Sequence, residues 1–193
     1  GDSSREYFRA LATLLRPPMT FPRRTRRPPQ DPFNSMLSFG YSLLFKEVEA
    51  LLITSRLSPY IGYLHALRDG HPALASDLIE ELRAPVVDRF CLRLVNLRVL
   101  KEEDFEPPGT NGAVMMRNKS RRRYLERWES FLAAPLCREE DGRLLDARRT
   151  MARQVRRCVE AILAGHGAYE PFDCEREFCG RGEVGEDGRL FTR

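Results

Sequence analysis

A chain of 193 residues can bury one core of its own without covalent staples. Its 42% apolar and 31% charged residues exclude the disordered class, and no apolar run approaches the ~18 residues of a membrane span. The formal net charge of +4 is mildly basic, so the case for nucleic acid rests on where the charges fall.

No secretory signal opens the chain, and Gly1 reads as a cut point. The cysteines are Cys91, Cys137, Cys158, Cys174 and Cys179, an odd set that points to reduced thiols in a cytoplasm. Cys91 and Cys158 lie within helical patterns and read as small core residues. Cys174 and Cys179 have no neighbouring His or second Cys pair, which disfavours zinc.

Helical periodicity dominates, and few segments alternate with period two. Ser3 or Ser4 is the candidate cap of a first helix with Tyr7, Phe8, Leu11, Leu14 and Leu15 along one side, ended by Pro17 and Pro18. An extended loop from Met19 to Pro29 follows. Asp31 and Pro32 give an N-cap and first-turn proline for a long helix to about Arg56, apolar around much of its surface. Arg68 to Pro72 is turn chemistry. A third helix is expected from Ala73 or Leu74 towards Leu100, with a kink at Pro85. After a loop over Glu106 to Gly112, helices are expected at about Ser120–Ala134 and Leu144–Leu163. The expected fold is all-α, a bundle of about five to seven helices around a central buried one. Residues 1–165 form the helical domain and 166–193 a partly irregular tail.

The chemistry-bearing segment is Gly62-Tyr63-Leu64-His65, followed by the helix containing Asp77 and Glu80. Asp77 and Glu80 are i and i+3, so a helix puts both on one face beside the apolar Leu74, Leu78, Ile79 and Leu82. Carboxylates beside a buried stripe need a cation or donors. One imidazole with one or two carboxylates suits Mn²⁺ or Mg²⁺. Spacing alone leaves the plainer reading open, in which His65 is a satisfied histidine and the acids are solvated.

Arg27-Pro28-Pro29-Gln30-Asp31-Pro32-Phe33-Asn34 and the following Leu37-Ser38-Phe39-Gly40-Tyr41-Ser42-Leu43-Leu44 resemble the "RPP-x-D-P-x-N-x-x-L-S-x-G-Y-x-L-L" signature of CRISPR-associated integrases. Pro59 to His65 resembles that family's "P-x-x-G-x-L-H" segment. Leu74 to Arg83 resembles its "L-x-x-D-L-x-E-x-x-R" helix, and Tyr169-Glu170-Pro171-Phe172 its C-terminal end. The match runs in order over most of residues 7–172.

The resemblance implies a helical catalytic domain whose metal is held by a glutamate, a histidine and a later acid. His65 takes the histidine position, Glu80 that of the later acid, and Asp77 that of a supporting acid. The first glutamate belongs to an "E-G-x-x-x-x-x-Y-F" segment that Gly1 to Phe8 fits only from the glycine onward. It is therefore expected before Gly1, along with an upstream β domain, and residues 1–193 alone are expected to bind metal weakly. The implied reaction is insertion of spacer DNA into a CRISPR array, by attack of a 3′-hydroxyl on a phosphodiester, or hydrolysis when water attacks. The implied partners are double-stranded DNA, a second copy in the full protein and the small dimeric second CRISPR adaptation protein, in a prokaryotic cytoplasm.

In that setting two arginine clusters are candidate phosphate contacts. One is Arg23, Arg24, Arg26 and Arg27; the other centres on Arg121 and Arg122, flanked by Arg117, Lys119 and Arg123. Arg148, Arg149, Arg153, Arg156 and Arg157 read as a solvated helix face. Asn34 has two readings, orienting a phosphate or site carboxylate, or satisfying donors in a first helical turn. The rivals to the integrase reading are a helical DNA-binding module without chemistry and an interaction domain whose basic residues serve solubility.

Overall fold

The fold is that of a computed structural model, described over residues 2–64, 70–165 and 169–177. It is mainly helical, as expected. The chain forms two compact units, one of residues 1–44 with 87–130, the other of residues 45–86 with 131–193. Among the described residues no helix is long and apolar enough to cross a membrane.

In the first unit, α1 (Asp2–Thr13) starts ahead of Ser3 and Ser4, so neither serine caps it. It stops short of Pro17 in a tightening turn, where Leu14 and Leu15 N–H groups reach back to the Leu11 and Ala12 carbonyls. Of its apolar residues only Leu11 is buried; Leu14 faces water. Phe8 meets Phe21 edge-on, and Phe21 meets Phe33 in the same way.

The second helix, α2 (Pro32–Thr54), begins as its sequence dictates. Asp31 Oδ1 accepts the Asn34 N–H at 2.7 Å, a side-chain cap on the first turn. Residues 33–37 are buried at five consecutive positions, so the start of this helix is enclosed all round, and Leu44, Val48 and Leu52 continue the burial as a stripe while Ile53 is exposed.

Gly40 on this helix is a steric requirement. A Cβ there would sit 2.5 Å from Tyr124 Oη and 2.6 Å from Val87 Cγ1. Tyr124 is fully buried, donates to the Met36 carbonyl and packs edge-on against Phe90. Val87 is stiff at χ1. Neither can retreat cheaply.

The expected kink at Pro85 is a π-helical stretch, Arg83–Asp88, between α3 (Ala73–Leu82) and α4 (Arg89–Asn96). Proline has no N–H for the carbonyl four residues back, and the wider turn accommodates it. At its end Asp88 is buried and accepts both the Tyr7 and Tyr41 hydroxyls at 2.5 Å. Burial, then the Asp88 carboxylate, pushes the Tyr41 phenol far above its ordinary range.

After α5 (Asn118–Leu132), the second unit departs from expectation. Leu144 does not open a helix. It lies in β2 (Leu144–Asp146), which pairs antiparallel with β1 (Pro135–Arg138). Glu140 and Asp141 form the hairpin turn, closed by the Gly142 N–H to the Glu139 carbonyl at 2.9 Å, and Gly142 follows at φ +84°. Asp146 then caps α6 (Ala147–Ala164) by accepting the Arg149 N–H at 2.7 Å, and Gly165 at φ +70° ends it.

Gly40→Ala is expected to cost about 1–3 kcal/mol through overpacking, read as a lower denaturant midpoint with an unchanged slope.

Candidate functional site

The helix α3 carries Asp77, Glu80 and Glu81 within five positions, with Asp77 between the other two on the helix surface. The rest of that helix is core: Leu74, Ala75, Leu78, Ile79 and Leu82 are buried. Each acid therefore lies at the edge of an apolar face, and each meets a different set of partners.

Asp77 is half-buried and turns towards the loop before the helix. Its Oδ2 accepts two backbone N–H groups, from Tyr63 at 2.5 Å and Leu64 at 2.9 Å. Gly62 makes this approach possible, because a Cβ there would lie 2.7 Å from that same oxygen and 2.8 Å from Ala73. The far end of the loop is tied by the Leu74 N–H to the Pro59 carbonyl.

Glu81 turns the other way. Its Oε1 accepts the Tyr169 hydroxyl at 2.5 Å and the Gln154 amide at 3.1 Å, and its Oε2 accepts the Phe172 N–H at 2.8 Å. The segment beginning at Tyr169 is thus latched to α3, with Phe172 buried. Burial and the adjacent Glu81 charge raise the Tyr169 phenol well above its usual range.

Glu80 faces solvent. Its carboxylate pairs with Arg83 one turn on, at 2.7 Å. His65 lies outside the described residues, directly after Leu64. Among the described residues no three His, Cys, Asp or Glu side chains cluster closely enough to hold a metal. The nearby His71 is engaged elsewhere, 3.0 Å from Ser76 Oγ and stacked on Phe45.

Spacing singles out Asp77 and Glu80 and passes over Glu81, Gln154 and Tyr169. Gln154, on the face of α6 that buries Met151, Val155 and Cys158, is the local hint of a buried network. The second unit's cleft, about 880 Å³, lies away from Asp77 and Glu80. Arg138, Arg153, Arg157 and Arg176 line it together with acids including Glu139 and Glu177, so its charges are largely matched internally. Arg153 is itself buried against Glu177, and Arg157 reaches the same carboxylate at 3.1 Å. The arginines of α6 are therefore not a uniformly solvated face.

The basic candidates also divide. Asn34 is fully buried: Oδ1 accepts from Arg24 at 2.7 Å and from the Thr25 N–H at 2.9 Å, while Nδ2 donates to the Arg23 carbonyl and Asp31. These bonds tie Asn34 to the loop at residues 23–25 and to Asp31. Arg24 also donates to Ser38 Oγ and lies over the Tyr41 ring, so its guanidinium braces the loop onto α2. Arg23, Arg26 and Arg27 are exposed, as are Arg121 and Arg122, whereas Arg117 pairs with Glu106 and Arg123 with Asp104. Cys91 and Cys158 are buried and Cys174 is exposed; Cys179 lies outside the described residues.

The family model for CRISPR associated protein Cas1 matches residues 1–130. The chain belongs to the Cas1 family. It is 40% identical over 172 residues to a CRISPR-associated endonuclease Cas1 of Thermus thermophilus, covering 89% of this chain and 51% of that protein. The chain spans about half the length of the curated Cas1 relatives it matches. A solved Cas1 protein from Thermotoga maritima superposes with a TM-score of 0.76 at 28% identity, over 88% of this chain and 53% of that one. A chain of a Cas6-RT-Cas1–Cas2 complex matches with a TM-score of 0.74, also at 28% identity, over 89% of this chain and 19% of that one.

The neighbouring acids differ sharply in expected energetic weight. Glu81→Ala leaves the Tyr169 hydroxyl and Phe172 N–H without their acceptor and is expected to cost ~2–4 kcal/mol. Glu80→Ala removes a surface ion pair and is expected to cost under ~0.5 kcal/mol. Urea midpoints of the two variants check the asymmetry.

Proposed function

We propose that the complete protein is a metal-dependent DNA endonuclease and integrase of CRISPR adaptation, with His65 and Glu80 as metal ligands and Asp77 in support. Membership of the Cas1 family supports the reaction class. The observation that carries the residue assignment is the division of labour on α3. Asp77 and Glu81 are committed to donors within the protein, and Glu80 is the acid that faces solvent. Its oxygens can exchange Arg83 for a cation without uncovering a buried charge.

Carboxylate and imidazole donors suit Mn²⁺ or Mg²⁺, which when bound supplies Lewis acidity at phosphorus and lowers the pKa of the attacking hydroxyl. Glu80 contributes negative charge at the site, and Arg83 beside it is placed to balance phosphate charge once released. In the reaction a DNA 3′-hydroxyl oxygen bonds to phosphorus, the opposite P–O bond breaks, and the proton ends on the departing 3′-oxygen. Water in place of the 3′-hydroxyl gives hydrolysis.

Double-stranded DNA is the proposed substrate, held in part by Arg23, Arg26, Arg27, Arg121 and Arg122. Cas2, present with Cas1 in the solved complex that the chain resembles, is the proposed partner, and the full protein is proposed to act as a homodimer. A non-catalytic DNA-binding module is the second reading. It is favoured by the exposed arginines of the two clusters.

The two readings separate in the complete protein. His65→Ala and Glu80→Ala are each expected to lower metal-dependent cleavage and strand transfer by ~10²-fold or more while leaving DNA affinity nearly unchanged. Wild-type rates in both variants would overturn the ligand assignment, and DNA binding without any metal-dependent cleavage by the wild-type protein would leave only the binding module. Replacing Arg121 or Arg122 by Ala is expected to reduce the salt slope of DNA binding by about one counterion each.

A further inference from the structure

We propose that Asp77 acts on the site as a positioning residue, through the backbone, by clamping the Tyr63 and Leu64 amides that lead into His65. This rests on the reading of His65 as a site residue, but the clamp itself is an observation independent of the metal.

Three facts carry it. First, one carboxylate oxygen of Asp77 accepts two successive backbone N–H groups, at 2.5 and 2.9 Å. Hydrogen bonds to an ionised acceptor are about twice as strong as neutral ones. Second, burial does little to place this stretch. Tyr63 and Leu64 are 73% and 78% exposed, and Tyr60 and Ile61 are also open to solvent. A loop whose side chains lie in water is held by its backbone bonds, and among the described residues these include the bonds to Asp77 and, at Pro59, to Leu74. Third, Gly62 leaves room for the carboxylate at the point where any Cβ would collide with it.

The consequence is local and geometric. The clamp fixes the chain at Leu64, the residue before His65 in sequence, against α3. The same rigid helix carries Glu80 one turn further on. Asp77 therefore ties the residues that precede His65 in sequence to the helix that carries Glu80. An oxygen already accepting two amides is a poor candidate for direct metal ligation, and the clamp accounts for an acid at this position without it. Pre-organisation of this kind is worth rate, because small misplacements of catalytic groups are costly.

The test uses the complete protein with Asp77→Asn, Asp77→Ala and Gly62→Ala, and two readouts. The first is amide hydrogen exchange at Tyr63 and Leu64 without metal; the second is the Mn²⁺-dependent strand-transfer rate. Asn keeps a carbonyl acceptor in the same place, so protection and rate are expected to stay within about tenfold of wild type. Ala removes the acceptor, and Gly62→Ala displaces it with Asp77 intact. Both are expected to exchange at least about tenfold faster at the two amides and to lose most of the rate, while the rest of the exchange pattern is preserved. Unchanged protection in Asp77→Ala would overturn the clamp. An Asn variant as inactive as Ala, yet fully protected, would show that the charge itself acts at the metal and would overturn the positioning role. If wild type has no metal-dependent activity, the functional reading fails, and the exchange result still decides whether the clamp exists.

Discussion

A carboxylate at the edge of an apolar face must be met by donors or by water, and α3 carries three of them. That constraint organises the second unit. Asp77 takes two amides of the loop before the helix, and Glu81 takes a phenol, a side-chain amide and the Phe172 amide. Two segments far apart in sequence are thereby fastened to one helix. Glu80 remains at the surface with Arg83, where its charge costs little and stays accessible. A single helix thus does both structural and chemical work, because adjacent positions on it face different surroundings.

The first unit solves the same problem with buried polar groups. Asp88 sits where the π-helical turn ends and meets two tyrosine hydroxyls, one from α1 and one from α2. Asn34 uses its acceptor and its donor group to hold the arginine-rich loop against the first turn of α2. In both cases satisfied buried groups specify one arrangement where apolar packing alone would tolerate several. The loop's remaining arginines are left outward, so the same contact that fixes the loop also sets which cations reach solvent.

Much of this is written locally in the chain. Asp31-Pro32 marks the start of α2 because capping and a first-turn proline are properties of adjacent residues. The helical period of Leu74, Leu78 and Leu82 places α3, and with it Asp77 and Glu80 on a common face. The hairpin leaves little mark in the sequence. Its strands are three and four residues long, too short for alternation to register, and the Asp141-Gly142 pair at the turn is the sole local sign. Charge patterning also misleads where partners are distant. Arg153 looks solvated until Glu177, 24 positions later, is brought against it, and the partners of Arg24 in Asn34, Ser38 and Tyr41 leave no mark in the charge pattern. The roles of Asp77 and Glu81 depend on contacts with backbone amides, which carry no residue identity and leave no mark in a sequence pattern.

Of the three acids of α3, Glu80 alone is proposed to meet a metal ion. Mn²⁺ binding to the complete protein, followed by titration of Glu80→Gln and Glu81→Gln beside wild type, tests this most directly. The affinity is expected to fall by ~10-fold or more in Glu80→Gln and to stay near wild type in Glu81→Gln. Unchanged affinity in Glu80→Gln, or a loss confined to Glu81→Gln, would contradict it.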